Sequence, residues 1–336
     1  MRFAIIGTGQ IGATHARRLV ALEGVTELLV ADNDIARAQE LAATSTKTIA
    51  ASPDEAFDAG IDGVVITANT SAHASLIHRA LDAGIPVFTE KPIALDVPTT
   101  REVVEHAAEC ANVPVQIGFQ RRFDAGYLTA KEAYASGALG FVHTVHATTY
   151  DVSPPPAAYL PTSGGLFKDC SIHDFDAIAW LTGRRAVTVF ATGSNMGDAF
   201  FTEQGDVDTC NALVTYDDQM TALVTATRYH GAGHDVRLEL HGSKDARYVG
   251  LDDRAPLVTA EPAGALTWTR SEPYQTYHQR FEKAYAAELA TFVEVAAGRA
   301  ASPCTPAEAL EALFIAEACG LSMREGRPVH VDDVRS

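Results

Sequence analysis

The chain has 336 residues, enough for two domains of ordinary size. Hydrophobic residues make up 47% and charged residues 21%, a globular composition that excludes a disordered or low-complexity chain. Lys+Arg 26 against Asp+Glu 43 gives a net charge of −17, which argues against nucleic acid or an anionic membrane as a partner. No apolar run of about 18 residues is present, so no membrane span is expected. The start MRFAIIGTGQIG breaks into glycines at once and lacks a signal-peptide core, so a cytoplasmic protein is expected. The five cysteines are scattered without a C-x-x-C pair, which argues against a disulfide framework or a zinc knuckle.

Taken in order, the first third alternates short apolar strands with amphipathic helices. Strands are expected at Phe3–Ile6, Glu27–Asp32, Lys47–Ala50, Gly63–Thr67, Pro86–Thr89 and Val113–Gly118. Helices are expected at Ile11–Leu22, Ile35–Ala43, Ala72–Ala83 and Val97–Ala111. Apolar strands separated by helices of about three turns predict a doubly wound parallel sheet over residues 1–120.

The first strand runs into Gly7-Thr8-Gly9-Gln10-Ile11-Gly12, a G-x-G-x-x-G. Alone the pattern is weak. Here it follows a strand, opens a helix and precedes an acid, Asp32, by about twenty residues. Gly7 permits the tight turn, Gly9 the approach of a pyrophosphate, and Gly12 close helix–strand packing. The helix start at Gln10 and Ile11 offers free N–H groups to the phosphates. Asp32 would accept from ribose hydroxyls, followed by Asn33, and its charge favours NAD over NADP. Asn69, after the fourth strand, is expected to face the cofactor. His73 in the same stretch is either a cofactor contact or an ordinary helix residue. The fifth strand ends in Thr89-Glu90-Lys91-Pro92, which carries Glu90 and Lys91 toward the same carboxyl-end crevice.

These stretches, with GFQRRFDAGY (118–127) and SGGLFKDCSIHDFD (163–176), make the chain resemble the glucose–fructose oxidoreductase/inositol dehydrogenase family, closest to its inositol 2-dehydrogenase branch. The resemblance covers residue 1 to about residue 325. It implies a Rossmann NAD-binding domain followed by an α/β domain with a large open, mostly antiparallel sheet. It implies Lys91, Asp169 and His173 as the catalytic set, and a homodimer or homotetramer.

The second half reads compatibly on its own pattern. Strands are expected at Val142–Tyr150, Ala186–Gly193, Thr209–Tyr216, Thr221–Tyr229, Val236–Gly242 and Ala246–Leu251. Helices are expected at Tyr277–Gly298 and Pro306–Glu325. Thr305 and Glu308 form the start of the latter. The second domain is therefore set at 121–336, with the last helix packing back on the first.

In KDCSIHDFDAIAWL, Asp169, His173 and Asp176 fall at i, i+4 and i+7, one stripe if the stretch is a single helix. A metal site, a helix cap and an acid–base site all fit three such residues. Acid–base chemistry is preferred, and no metal is expected. Oxidising a secondary alcohol requires a proton acceptor, which neutral histidine provides near pH 7. A carboxylate a turn away would support the imidazolium, and the Lys91 ammonium would stabilise alkoxide character. Arg122, Asp151, Asp176 and His234 are candidate partners for the other hydroxyls of a sugar or cyclitol. The family's inositol branch commonly has Arg at Tyr150, Tyr at His234 and Arg at Lys168, which leaves the polyol and the carbon oxidised open. A redox-neutral NAD-dependent glycosidase or lyase and a non-catalytic dinucleotide sensor are the alternatives.

Overall fold

The computed structural model describes residues 1–260 and 271–335. Its contacts divide the chain into two units, Met1–Gln120 with Lys283–Glu311 and Arg121–Glu282 with Ala312–Ser336.

Unit 1 begins with β1 (Arg2–Ile6), α1 (Gln10–Ala21), β2 (Glu27–Ala31), α2 (Ile35–Ala42), β3 (Thr48–Ala51) and α3 (Pro53–Asp58). It continues with β4 (Gly63–Ile66), α4 (Thr70–Asp82), β5 (Val87–Glu90), α5 (Val97–Glu109) and β6 (Val115–Gly118). The sheet order is β3-β2-β1-β4-β5-β6, all parallel. Phe3, Ala4, Ile5, Val64, Val65 and Ile66 are fully buried, as strands covered on both faces require. Chain order reverses between β1 and β4, so the turns after these two strands open on one crevice at their carboxyl ends.

Strand and helix ends in this unit lie within two residues of the sequence reading, except that α3 was not expected at all. It is too short for periodicity to reveal, but Ser52 and Glu55 cap it reciprocally.

Unit 2 holds α6 (Ala125–Ala135), β7 (Val142–Tyr150), α7 (Leu160–Ser163), α8 (Ile172–Thr182), β8 (Ala186–Ser194) and α9 (Phe200–Glu203). Then come β9 (Thr209–Tyr216), β10 (Thr221–Thr227), β11 (Asp235–Gly242), β12 (Ala246–Val249) and α10 (Tyr277–Arg280). The seven-stranded sheet runs β12-β11-β7-β10-β9-β8 and then a terminal strand at Val329–His330. Every pair is antiparallel except β7 with β10. Strand residues alternate: Val145, Ala147, Val224, Leu238 and Leu240 are buried, while Leu213, Leu223, Phe190 and Tyr248 are exposed. Helix α6 was missed in the sequence because GFQRRFDAGY reads as a motif. Asp124 caps it by accepting from the amides of Gly126 and Tyr127.

The expected helix over 277–298 breaks at Phe281 and resumes as α11 (Glu282–Ala296). The range 121–336 is interrupted, because Lys283–Glu311 belongs to unit 1. Phe292 of α11 packs 5.8 Å from Phe3 and 5.7 Å from Phe88, ring centre to ring centre. The last helix, α12 (Pro306–Glu325), joins unit 1 only as far as Glu311. Thr305 and Glu308 do form its start: Thr305 donates to the Glu308 carboxylate, and the Glu308 amide donates back to Thr305 Oγ1 at 3.3 Å. Among the described residues, no helix is long and apolar enough to cross a membrane.

Candidate functional site

In unit 1 the glycines divide their tasks. Gly7 has φ 104°, and a Cβ there would stand 2.4 Å from the Ala68 amide nitrogen. A Cβ at Gly12 would stand 2.0 Å from the Gly7 carbonyl oxygen. Those two residues let the turn, β4 and α1 close on one another, and Thr67 Oγ1 donates to the Gly7 carbonyl at 2.8 Å. Gly9 differs: a Cβ there would meet nothing within 4 Å. It is the N-cap of α1 and offers no capping side chain. Open space therefore lies before the first N–H groups of α1, at Gln10 and Ile11, which suits a pyrophosphate.

Asp32 Oδ2 accepts from the amide and hydroxyl of Thr8 at 2.8 and 2.7 Å, and Oδ1 accepts from the Asp34 amide at 3.0 Å. Burial opposes its charge, but these hydrogen bonds and Arg37 hold the carboxyl below its usual value. Asp32 is thus a fixed anion beside the glycine turn. Asn33 follows it, exposed.

At the ends of β4 and β5, Asn69 is the N-cap of α4 without a side-chain cap bond. Of the two readings of His73, its contacts favour the ordinary helix residue. It is 2% exposed, with Nδ1 2.8 Å from the Pro92 carbonyl oxygen and Nε2 2.9 Å from that of Ala68. Burial lowers its pKa against the pull of those carbonyls, and its ring ties the turn after β4 to the turn after β5 rather than facing a cofactor. Glu90 is likewise engaged within the unit, where the buried His15 donates Nε2–H to Oε1 at 2.6 Å. Lys91 follows, half-buried, with a cis bond to Pro92.

In unit 2 the stretch KDCSIHDFDAIAWL is not one α-helix. Phe167–Ser171 forms a π-helical segment that carries Asp169, and α8 then carries the half-buried His173 and the buried Asp176. Asp169 accepts from Tyr159 Oη at 2.9 Å and from Arg228 Nη2 at 2.5 Å. Burial and the Asp169 charge keep the Tyr159 phenol well above its usual pKa, so it stays a donor. Arg228, 4% exposed, also donates to Asp151 Oδ2 at 2.9 Å. Asp151 Oδ1 stands 3.4 Å from His234 Nδ1. Burial works against the Asp151 charge, but His234 and Arg228 outweigh it and lower the carboxyl. His234 is 4% exposed, and its Nε2 is buried with no hydrogen-bond partner among the described residues.

Arg122 Nε and Nη2 donate to Asp176 Oδ2 and Oδ1 at 3.0 and 2.6 Å. Both are buried, which corrects the expectation of two independent hydroxyl partners: they are one neutral pair. Three residues of the network were not anticipated. Arg228 follows β10 with nothing in its neighbours to mark it, and Tyr159 ends a 3-10 helix of three residues, too short for periodicity to reveal. Arg121 was in a quoted motif, but its partners Asp174 and Thr149 lie far along the chain. Lys168, expected to line a pocket, pairs with Glu317 at 2.5 Å. The metal alternative for Asp169, His173 and Asp176 loses its basis, since Arg228 and Arg122 hold the two carboxylates.

Comparison with known proteins agrees with this geometry. Residues 1–119 match the oxidoreductase family with an NAD-binding Rossmann fold, and residues 127–246 match the GFO/IDH/MocA C-terminal domain. A myo-inositol dehydrogenase of Streptomyces leeuwenhoekii is 38% identical over 90% of each chain. A scyllo-inositol 2-dehydrogenase (NAD(+)) of Bacillus subtilis is 32% identical over 100% of this chain and 98% of its own. The structure of scyllo-inositol dehydrogenase from Lactobacillus casei with bound NAD(H) and scyllo-inositol superposes with a TM-score of 0.87, at 28% identity and 99% coverage of both chains. The open space at Gly9, the fixed anion at Asp32 and the matches over both halves make this chain an NAD-binding oxidoreductase of the GFO/IDH/MocA family.

Proposed function

We propose that the protein is an NAD-dependent dehydrogenase that oxidises a secondary alcohol of an inositol-like cyclic polyol or sugar. The relatives named as inositol dehydrogenases support this class. Bound at the glycine turn, NAD would supply the hydride acceptor. Gly9 leaves room for its pyrophosphate, to which the Gln10 and Ile11 amides would donate. Asp32, with Asn33, would accept from the ribose hydroxyls, and Asn69 would help to hold the cofactor.

His173 takes the hydroxyl proton as general base and returns it in the reverse direction. Lys91 stabilises the developing alkoxide. Asp169, paired with Arg228, supports the imidazolium. Asp151 and His234 bind other hydroxyls, and Arg122 with Asp176 meets the substrate as a neutral pair. The observation that carries the reading is the buried His234 Nε2 beside the ionised Asp151, a donor–acceptor pair suited to a polyol hydroxyl. NADH absorbance across a panel of inositols and aldoses tests it. Product without matching NADH would favour the redox-neutral alternative, and no turnover on any would reject the class.

The same reading assigns a second copy of the chain to the exposed sheet face. Phe190, Leu213, Leu223, His146, Glu239 and Tyr248 pair strand to strand in one row across it. Four are large apolar or aromatic groups, 40–51% exposed. Light scattering should show a dimer or tetramer, and Leu213→Glu with Leu223→Glu should give monomers. The five free cysteines support a cytoplasmic setting.

A further inference from the structure

Helix α1 buries one stripe, Gly12, His15, Ala16 and Leu19, at i, i+3, i+4 and i+7. Three of these carry no polar side chain, and the fourth is a histidine with no exposed surface. An apolar residue would fill such a place without loss, whereas an imidazole brings two ring nitrogens that need partners. His15 Nε2 donates to Glu90 Oε1 at 2.6 Å. Its Nδ1 is buried with no hydrogen-bond partner among the described residues. A buried ring that uses half of its capacity weakens the fold, so its presence points to the one bond that it makes.

That bond reaches the end of β5. Phe88 and Glu90 stand two apart on this strand and share a face. The His15 ring lies edge-on to Phe88 at 5.7 Å while its Nε2 meets Glu90, and Tyr285 of α11 approaches the ring at 5.6 Å. The other Glu90 oxygen is confined as well. A Cβ at Gly118, the residue opposite on β6, would stand 3.2 Å from Oε2. Lys91 comes next in the chain. Beyond it, the Pro92 carbonyl oxygen lies 2.8 Å from His73 Nδ1. Lys91 therefore springs from a turn gripped on both sides, by a histidine of α1 before it and a histidine of α4 after it. All of these residues belong to unit 1.

We propose that His15 is a positioning residue, which through Glu90 fixes where β5 delivers the Lys91 ammonium. Wholly buried, it acts on the chemistry only through that contact. The inference rests on the reading of Lys91 as the group that stabilises the alkoxide.

Steady-state kinetics of the full chain test it, with a polyol that gives NADH and with His15→Leu, His15→Gln and Lys91→Ala beside the wild type. His15→Leu fills the space without a donor. It should lower kcat by roughly 10–10²-fold, the effect of a small misplacement remote from the chemistry. Its melting temperature and its NAD affinity by fluorescence titration should stay close to the wild type. His15→Gln, which restores an N–H toward Glu90, should recover most of the loss, a rescue that packing alone does not predict. Should His15→Leu fail to fold, Glu90→Ala removes the same contact from its other end and should show the same fall in kcat. Wild-type kcat in folded His15→Leu, or in Glu90→Ala, beside an inactive Lys91→Ala overturns the proposal alone. So does a His15→Gln variant as slow as His15→Leu. Wild-type turnover in Lys91→Ala instead overturns the reading on which the proposal rests.

Discussion

The two units build their sites by different means. In unit 1 the site is made of backbone: two glycines that cannot carry a Cβ, one that leaves space, and a helix start without a cap. The charged group beside the glycine turn, Asp32, is fixed by residues two positions ahead and 24 behind, at the ends of two paired strands. In unit 2 the site is made of side chains. His234, Asp151, Arg228, Asp169 and Tyr159 form a chain of contacts drawn from separate segments. A backbone site is specified by local spacing, whereas a side-chain network exists only once the sheet has assembled.

The largest expected effect separates chemistry from cofactor binding. His173→Ala should lower kcat by roughly 10²–10⁴-fold, the range of a positioned general base. NAD affinity, measured by fluorescence titration, should hardly move. Near-normal turnover with a collapsed melting temperature would assign the histidine to packing.

The next effect tests whether the unit 2 network depends on its cation. Arg228→Ala leaves Asp151 and Asp169 as half-buried carboxylates without this buried cation. It should cost about 3–5 kcal/mol in urea unfolding at neutral pH, as removing one member of a buried ion pair does. Arg228→Lys should recover part of the loss, and an Ala variant as stable as wild type would break the comparison.

Glycine substitutions sharpen the other side. Gly12→Ala forces a Cβ against the Gly7 carbonyl and should destabilise by about 1–3 kcal/mol. Gly9→Ala meets no protein atom and has φ −63°, so its melting temperature should stay unchanged. Its NAD affinity should nonetheless fall, measured by the same titration. Equal affinity in Gly9→Ala and wild type would remove the pyrophosphate from that space.

Asp32→Ser should narrow the gap between NAD and NADP in kcat/KM, because the carboxylate repels a 2′-phosphate. Equal kcat/KM for both cofactors in the wild type would sink that assignment.

The smallest effect is on acid stability. Asp151 has a lower pKa folded than unfolded. Its contribution is therefore present above the unfolded value of about 4, and is lost as pH falls through the folded value. Asp151→Asn should be less stable than wild type at neutral pH, with the difference shrinking in acid. A difference that grows in acid would reverse the assigned sign.

The sequence was most readable where a residue's task depends on its neighbours. G-x-G-x-x-G, Asp32 and the alternation of strands and helices needed no distant partner, and the parallel sheet follows from them. In unit 2 the strands were equally plain, because their alternation is local. Arg228 and Tyr159 were not visible, since an arginine beside a carboxylate 59 residues earlier leaves no mark on spacing. His73 stayed open between two readings because its position after β4 is that of a cofactor contact, while its two carbonyl partners are a fact of packing. The condition of a single helix over 168–181 does not hold, for a subtler reason. A π-helical segment shares the composition of the α-helix it joins.

The return of residues 283–311 to unit 1 bears on how the chain can be cut. A fragment ending at residue 120 would have a complete parallel sheet yet lack the Phe292 ring that Phe3 and Phe88 pack against. It would also lack the Glu288 carbonyl that accepts from the Gln116 amide, and the Cys304 carbonyl that accepts from the Ile117 backbone. Such a fragment would carry the whole nucleotide motif on a sheet stripped along one side, prone to aggregate before it could bind anything. A peptide of residues 283–311 supplied in trans would be its natural complement. In this fold the apparent modularity of the linear order is misleading, because the amino-terminal module is finished by a strap synthesised more than 160 residues later.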